Sequence, residues 1–231
     1  MRKKNPVLLF DLDNTLLDFD AAEHAAMTRV LSERGIEPTD ERLKLYNKIN
    51  LQHWKRLELG ELDRAGVQHG RFREFFREIG VDLDPVIVQN TYEGYLADGY
   101  MAMPGAKELL QTLEGKYDMY IISNGSTDIQ YSRLAHSGIE KYFKKVFISE
   151  ELGKNKPSRE FFELCFAQID GFDPACALII GDSLTSDIRG GLNIGVKTCW
   201  FNPNGQPARA DIPADYTITS LMELPELIEK L

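Results

Sequence analysis

Short apolar runs rich in β-branched and aromatic residues alternate with helical patterns over most of the chain, and this alternation restricts the fold more than any other feature. Parallel strands need crossover connections, which helices normally supply. The pattern therefore predicts an α/β fold with a parallel sheet, whose ligand sites lie at the carboxyl ends of the strands. The predicted strands are 6–10, 117–122, 145–148, 177–181, 196–201 and 215–218. The predicted helices are 105–114, 127–136, 157–169, 186–194 and 219–230.

The segment after the first strand interrupts this alternation, because it contains no convincing strand. Apolar positions recur there with a helical period, and Gly60 and Gly80 mark two of the breaks between successive helices. The simplest organisation is a helical domain inserted after the first strand. The sequence thus predicts an all-helical cap domain of residues 18–98, within an α/β core of residues 1–17 and 99–231.

The composition excludes several classes of function. A formal net charge of −9 argues against binding to a nucleic-acid backbone. No apolar run approaches the ~18 residues of a membrane span, and the N-terminus lacks the apolar region and cleavage site of a secretory signal. The three cysteines are widely spaced, which is typical of reduced thiols in the cytoplasm. We therefore expect a cytoplasmic protein without nucleic-acid or membrane partners, either a monomer or a homodimer.

Four polar segments follow predicted strands at the ends where a parallel sheet places its ligands. They are DLDNT at 11–15, SNG at 123–125, KP at 156–157 and GDSLTSD at 181–187. Any one of them alone is compatible with a helix cap, a turn or a surface charge. Together they provide carboxylates for Mg²⁺, a nucleophile, an anion-binding hydroxyl and a cation. Pro157 is expected to begin a helix, and the first amides of the helix after SNG are expected to bind an anion.

The order and spacing of the four motifs resemble those of the haloacid dehalogenase superfamily of aspartate-nucleophile hydrolases, and specifically its phosphatases. The resemblance implies a doubly wound, Rossmann-like parallel core with a C1-type helical cap inserted after the first motif. It also implies Mg²⁺ as cofactor and a small phosphomonoester as substrate. Dehalogenases are similar but lack the second aspartate and need no metal, so Asp13 favours a phosphatase.

Carried over motif by motif, the resemblance implies a role for seven residues of the four segments. Asp11 is the expected nucleophile and Asp13 the expected general acid–base. The expected phosphate-binding residues are Ser123, Asn124 and Lys156. The expected metal ligands are Asp11, Asp13, Asp182 and Asp187, the last directly or through water. An aspartyl-phosphate would split a reaction whose uncatalysed barrier must be lowered by more than ~20 kcal/mol.

Within the insert, three segments resemble the cap of a nucleotidase branch. These segments are 46–54, LGEL at 59–62 and RF at 71–72. Such relatives hydrolyse nucleoside 5′-monophosphates, with a preference for pyrimidine deoxynucleotides. The resemblance therefore implies that the substrate is a nucleotide.

Individual side chains of the insert suggest how a base would be bound. Trp54 or Tyr46 could stack on a base for about 1–3 kcal/mol, and Asn50 and His53 could read its edge. Asn50 favours this interpretation because it interrupts an apolar stripe. The alternative is that both aromatic side chains fill the core of the cap. Arg71 is expected to be a solvated or capping charge.

The most specific expectation is a Mg²⁺-dependent nucleoside 5′-monophosphatase that forms an aspartyl-phosphate on Asp11. The core motifs also allow a phosphatase of sugar or organic-acid phosphates, or a phosphomutase, which would require a bisphosphate activator. A catalytically silent binding protein of the same fold would have lost at least one of four residues. All four are present: Asp11, Asp13, Lys156 and Asp182.

Overall fold

The computed structural model describes residues 6–230, so residues 1–5 and 231 of the predicted core lie outside the described chain. Its strands are β1 (Val7–Phe10), β2 (Asp118–Ser123), β3 (Lys145–Ile148), β4 (Ala177–Gly181), β5 (Lys197–Phe201) and β6 (Tyr216–Ile218). Each predicted strand is present, with bounds that differ by no more than one residue. The central strands β1 and β4 are short, apolar and wholly buried, which is typical of a parallel sheet covered on both faces.

The helices of the insert and the core follow in chain order. They are α1 (Phe19–Glu33), α2 (Asp40–Glu58), α3 (Arg64–Glu78), α4 (Pro85–Leu96), α5 (Ala106–Leu113), α6 (Thr127–Ser137), α7 (Ser149–Leu152), α8 (Arg159–Phe166), α9 (Arg189–Ile194) and α10 (Leu224–Glu229). No helix of the described chain combines the length and the apolar character that crossing a bilayer requires.

The six strands form one parallel sheet in the order β3-β2-β1-β4-β5-β6. Phe10, at the end of β1, is paired with Ile121 of β2 on one side and with Ile180 of β4 on the other. The winding direction reverses between β1 and β4, and ligands of such sheets bind outside the strand ends at this reversal. The predicted doubly wound fold is therefore confirmed, and Asp11 and Asp182 follow the two strands at the reversal.

Both faces of the sheet are covered by helices. Alternate residues of each strand point to opposite sides, so both faces carry apolar side chains that need to be buried. Leu8 and Phe10 pack in a cluster that includes Leu109 of α5, whereas Leu9 packs in another cluster with Phe161 of α8. The core is thus two apolar layers on either side of the sheet. This packing holds the ends of β1 and β4 between the two layers, next to the side chains that follow them.

Three predicted helix starts differ from the structure. Pro157 does not begin a helix: Ser158 is the N-cap of α8, and its hydroxyl accepts a hydrogen bond from the Phe161 amide at 3.3 Å. The predicted helix 186–194 is a π-helical turn over Leu184–Ile188 followed by α9. The predicted helix 219–230 is a 3₁₀ turn over Leu221–Glu223 followed by α10, and the Ser220 hydroxyl accepts from the Met222 amide at 3.3 Å. In all three cases a serine side chain satisfies one of the first free amides, and this local contact sets where the helix begins.

The described chain divides into two compact units. One comprises the residues up to Asp18 together with those from Met101 onward, and the other is Phe19–Tyr100. The second unit consists of α1–α4, in which α1 packs against α4, and α3 packs against both α2 and α4. Gly60 and Gly80, the two expected breaks, follow the ends of α2 and α3 with positive φ angles of 74° and 70°.

Candidate active site

Three carboxylates meet beyond the ends of β1 and β4. Asp11 follows β1, whereas Asp182 and Asp187 belong to the segment after β4. One ligand oxygen from each lies within 4.8 Å of the others. Asp11 and Asp187 are buried, and Asp182 is half-buried. The structure therefore brings together three of the four residues expected to bind a metal.

The π-helical turn Leu184–Ile188 determines where Asp187 lies. The Ser183 amide donates to Asp187 Oδ2 at 3.1 Å, and the Ser186 amide donates to Ser183 Oγ at 3.2 Å. A Cβ atom at Gly181 would lie 2.2 Å from Asp187 Oδ2, so only glycine allows the carboxylate to approach the strand this closely. Asp182 is held separately, because its carbonyl accepts from Trp200 Nε1 at 2.8 Å.

Lys156 is the buried cation of this site. Its Nζ donates to Asp11 Oδ1 at 2.7 Å, to Asp187 Oδ1 at 2.7 Å and to the Ile122 carbonyl at 2.9 Å. An ammonium group has three N–H donors, so all three are engaged by these contacts. Lys156 thus neutralises two of the carboxylates directly, and its expected contact with phosphate stays a prediction.

Asn124, expected to bind phosphate, makes a different contact in the structure. Its side-chain amide accepts from the Lys156 amide at 2.8 Å and donates to the Lys156 carbonyl at 3.0 Å. This pair of hydrogen bonds fixes the backbone that carries the lysine. A phosphate contact by the Asn124 side chain stays a prediction.

The charges of the site are unbalanced. Burial raises the pKa of Asp11 to about 7 even though Lys156 opposes the shift. Burial and the neighbouring Asp11 and Asp187 likewise raise the pKa of Asp182. Burial alone would lower the pKa of Lys156, but Asp11 and Asp187 outweigh it and the pKa is raised. Three carboxylates against one ammonium leave negative charge that a divalent cation would offset, and the all-oxygen donor set suits Mg²⁺.

The Asp13 carboxylate is bound by two residues that sequence reasoning missed. Gln130 Nε2 donates to Asp13 Oδ2 at 2.7 Å, and Arg133 Nη1 pairs with Asp13 Oδ1. Of the described residues, the carboxylates that cluster are the other three, so direct metal binding by the Asp13 side chain stays a prediction. One signal was available in the sequence: Gln130 and Arg133 occupy i and i+3 on the face of α6 that also carries Leu134.

Ser123, at the end of β2, is arranged as a hydrogen-bond donor. Its Oγ accepts from Gln130 Nε2 at 2.7 Å and from the Gly125 amide at 3.1 Å. A hydroxyl with two occupied acceptor positions retains its own O–H for a ligand. The start of α6 is less available than expected, because the Thr127 amide donates to Glu150 Oε2 at 2.7 Å.

Comparisons with known proteins agree with this arrangement. A model of the haloacid dehalogenase-like hydrolases matches residues 8–201 of the chain. The chain belongs to this family of hydrolases. It is 41% identical to the pyrimidine 5′-nucleotidase PynA of Streptococcus pneumoniae over 96% of this chain and 94% of that protein. It is 31% identical to the pyrimidine 5′-nucleotidase YjjG of Escherichia coli over 96% of this chain and 97% of that protein.

A solved structure is also similar to the whole hydrolase. The crystal structure of YfnB from Bacillus subtilis, described as bound to magnesium, superposes with a TM-score of 0.93. The two chains are 38% identical, and the match covers 98% of this chain and 99% of YfnB. The fold described above is therefore that of haloacid dehalogenase-like hydrolases.

The expected substrate residues of the hydrolase lie within the helical unit Phe19–Tyr100. Asn50 is buried and donates to Glu23 Oε2, and it accepts from Arg71 Nη1 at 2.6 Å. His53 is also buried, with Nδ1 3.0 Å from the Ile49 carbonyl. Trp54 is half-buried. Recognition of a base by these three residues stays a prediction.

Two expectations about the helical unit are settled by burial. Arg71 is not a solvated charge: it is 3% exposed and donates to Asn50 and, at 2.8 Å, to Gln89 Oε1. Tyr46 is 1% exposed and stacks on Phe72 with the ring centroids 5.3 Å apart. Tyr46 therefore belongs to the core of this unit, as the alternative interpretation expected.

Proposed function

We propose that this hydrolase is a Mg²⁺-dependent phosphatase that transfers the phosphoryl group of its substrate to Asp11. The observation that carries the proposal is the position of the Asp11 carboxylate. It lies at the end of β1, with Lys156 at 2.7 Å and with Asp182 and Asp187 close enough to share a cation. A carboxylate in such surroundings can approach a dianionic phosphate, because nearby positive charge offsets the repulsion.

The reaction has two steps. In the first, an oxygen of Asp11 attacks phosphorus, the bond from phosphorus to the ester oxygen breaks, and Asp13 gives a proton to that leaving oxygen. In the second, Asp13 takes a proton from a water whose oxygen attacks phosphorus, and the bond between Asp11 and phosphorus breaks. Asp11, Asp182 and Asp187 would hold Mg²⁺, which stabilises negative charge on the transferred group. Ser123 would donate its O–H to a phosphate oxygen.

The proposed substrates are nucleoside 5′-monophosphates, pyrimidine nucleotides first. The support is the similarity over nearly the whole chain to two proteins named pyrimidine 5′-nucleotidases. In the same proposal the helical unit is the cap that selects the substrate, and Trp54, Asn50 and His53 take part in that selection. The cytoplasmic location and the monomeric or homodimeric state stay predictions.

The test is phosphate release by the purified protein with Mg²⁺ across a panel of phosphomonoesters. The panel contains dUMP, dTMP, UMP, AMP, several sugar phosphates and phosphoglycolate. We expect kcat/KM for pyrimidine nucleotides to exceed the others by tenfold or more, equivalent to about 1.4 kcal/mol. If a sugar phosphate or phosphoglycolate has the highest kcat/KM, the proposed substrate class is contradicted, but the proposed phosphatase chemistry is not.

Asp11→Asn is the matched variant for the chemistry, because it keeps the shape of the side chain and removes the nucleophile. We expect turnover to fall below detection on every substrate. Undiminished turnover would show that Asp11 does not accept the phosphoryl group. A requirement for a bisphosphate activator would identify a phosphomutase instead.

A further inference from the structure

Helix α6 presents two polar side chains, one turn apart, to the predicted acid–base Asp13. Gln130 is 2% exposed and Arg133 is fully buried. Gln130 donates to one oxygen of the Asp13 carboxylate and Arg133 donates to the other. Gln130 Oε1 also accepts from Arg133 Nη1 at 3.0 Å, so the two residues hold each other in position.

The contacts of Asp13 leave one side of its carboxylate open. The Asp13 side chain is 28% exposed, whereas that of Arg133 is not exposed at all. Its protein partners thus come from within the core, and solvent or a ligand can reach the remaining surface. With both oxygens bonded, rotation of the carboxylate about its last side-chain bond would break these contacts.

Gln130 connects Asp13 to the predicted phosphate-binding Ser123. The same Nε2 donates to Asp13 Oδ2 and to Ser123 Oγ, at 2.7 Å each. A Cβ atom at Gly125 would lie 2.4 Å from Gln130 Nε2, so the turn after β2 needs glycine to admit this side chain. The contact therefore depends on the local backbone as well as on α6.

Stability alone is a weak explanation for this pair. A buried ion pair is often no more stabilising than apolar side chains of similar volume. Placing a fully buried arginine against a half-buried aspartate is better explained by what it does to the aspartate. Catalytic groups lose about 100-fold in rate when they are misplaced by about 1 Å.

We propose that Gln130 and Arg133 are positioning residues of this hydrolase. They direct the Asp13 carboxylate toward the position shared by the leaving oxygen and the attacking water, and Gln130 also leaves Ser123 able only to donate. This inference rests on the proposed phosphatase function. It adds two residues that act through Asp13 and Ser123 without touching the substrate.

The test compares Arg133→Met and Gln130→Met with wild type on two substrates. Both variants keep an unbranched side chain of similar volume and remove the donors. Arg133→Met isolates the Asp13 role, whereas Gln130→Met also releases Ser123 and should lose activity on both substrates. For Arg133→Met on dUMP, whose alkoxide leaving group needs a proton, we expect kcat to fall about 100-fold with KM changed less than threefold. With 2,4-dinitrophenyl phosphate, whose leaving group needs no proton, we expect the first turnover to slow less than tenfold. Dinitrophenolate should therefore appear as a burst in the first turnover, followed by slow steady turnover, because hydrolysis of the aspartyl-phosphate still needs Asp13 as base.

Three further variants make the result decisive. Arg133→Lys keeps a charged donor, and its kcat on dUMP should be at least tenfold higher than that of Arg133→Met. Ser137→Ala, on the same buried face of α6 but bonded to the Leu134 carbonyl of its own helix, should behave as wild type. Arg133→Met added to Asp13→Asn should cause no further loss, because a residue that acts through Asp13 has nothing left to direct.

The outcomes separate this inference from the function on which it rests. Equal losses on both substrates, or an additional loss on the Asp13→Asn background, would show that Arg133 acts on folding or elsewhere in the site. Wild-type kinetics in both methionine variants would also overturn the inference. If Asp11→Asn and Asp13→Asn stay active, the proposed phosphatase mechanism itself fails.

Discussion

Lys156 Nζ donates to Asp11 and to Asp187 at 2.7 Å each, with its side chain only 1% exposed. Each of these carboxylates would cost several kcal/mol to bury without a partner. Asp182 adds a third negative charge nearby. At the scale of single residues, one ammonium thus faces three carboxylates, and burying this excess negative charge costs stability.

This cost predicts a specific dependence of stability on pH. The pKa of Asp11 is 3.8 in the unfolded chain and about 7 in the folded protein without metal, chiefly because of burial. The folded protein therefore binds more protons than the unfolded chain between these values, and stability is lost as pH rises through about 7. We expect the Tm of the wild-type protein in EDTA to fall between pH 5 and pH 8.

Asp11→Asn should remove much of that fall. At pH 8 the variant should melt several degrees above wild type, since 1 kcal/mol shifts the Tm of a protein this size by about 2–4 °C. Differential scanning calorimetry in EDTA measures both profiles. Asp211→Asn, an exposed carboxylate paired with Arg209, is the control and should leave the slope unchanged. Parallel profiles for wild type and Asp11→Asn would contradict the prediction.

At the scale of elements, the segment after β4 is the most constrained part of the site. A π-helical turn carries Asp187, and Gly181 ends the strand against which its carboxylate packs. Single-turn π-helices are frequent at functional sites. The turn places Asp187 beside Asp11 and Asp182, so its geometry governs the expected metal site.

Gly181→Ala should raise the Mg²⁺ dissociation constant while the protein still folds. The added Cβ would lie 2.2 Å from Asp187 Oδ2, so the carboxylate must move. We expect at least a tenfold rise in the Mg²⁺ dissociation constant by isothermal titration calorimetry. Gly94→Ala in α4, where an added Cβ has nothing within 4 Å, should bind Mg²⁺ as wild type does. Equal affinity in the two variants would contradict this prediction.

Two aromatic residues of α2 have different surroundings and should respond differently to truncation. Tyr46 is in the aromatic core of the helical unit, so Tyr46→Ala should cost about 3–5 kcal/mol of unfolding free energy. Trp54 is half-buried, with the Arg64 guanidinium 5.9 Å from its ring centroid. If Trp54 stacks on the base, Trp54→Ala should raise KM for nucleotides by about five- to 150-fold.

Urea unfolding and nucleotide kinetics on both variants measure these effects. The stability of Trp54→Ala should be closer to wild type than that of Tyr46→Ala. 4-Nitrophenyl phosphate, which has no nucleobase, is the control substrate and should show no rise in KM with Trp54→Ala. A KM for dUMP equal to that of wild type would remove Trp54 from the predicted substrate residues.

At the scale of the whole molecule, the strands could be predicted closely because their signal is local. A buried parallel strand is a short apolar run, and all six runs stand out from the helical patterns around them. Helix starts were harder to predict, since a single serine contact at Ser158 or Ser183 decides them. The short helix α7 was not predicted at all.

The contacts of polar side chains could not be predicted from spacing. Arg133 lies far from Asp13 along the chain, and no local pattern states that α6 passes beside the first motif. From the sequence alone Arg71 is interpreted as a surface charge. In the structure it is buried, with Asn50 of α2 and Gln89 of α4 as its hydrogen-bond acceptors. Both arginines are buried because distant elements provide acceptors, which only packing can do.

The sequence by itself determined the fold class, the order of the strands along the chain and the four polar segments that follow them. Periodicity and the rule that parallel sheets bind ligands at their carboxyl ends are sufficient for that. Only the tertiary structure decided that Asp11, Asp182 and Asp187 share one cluster while Gln130 and Arg133 hold Asp13. The physical reason is that hydrogen bonds and ion pairs act over a few ångströms, and sequence separation does not specify such distances.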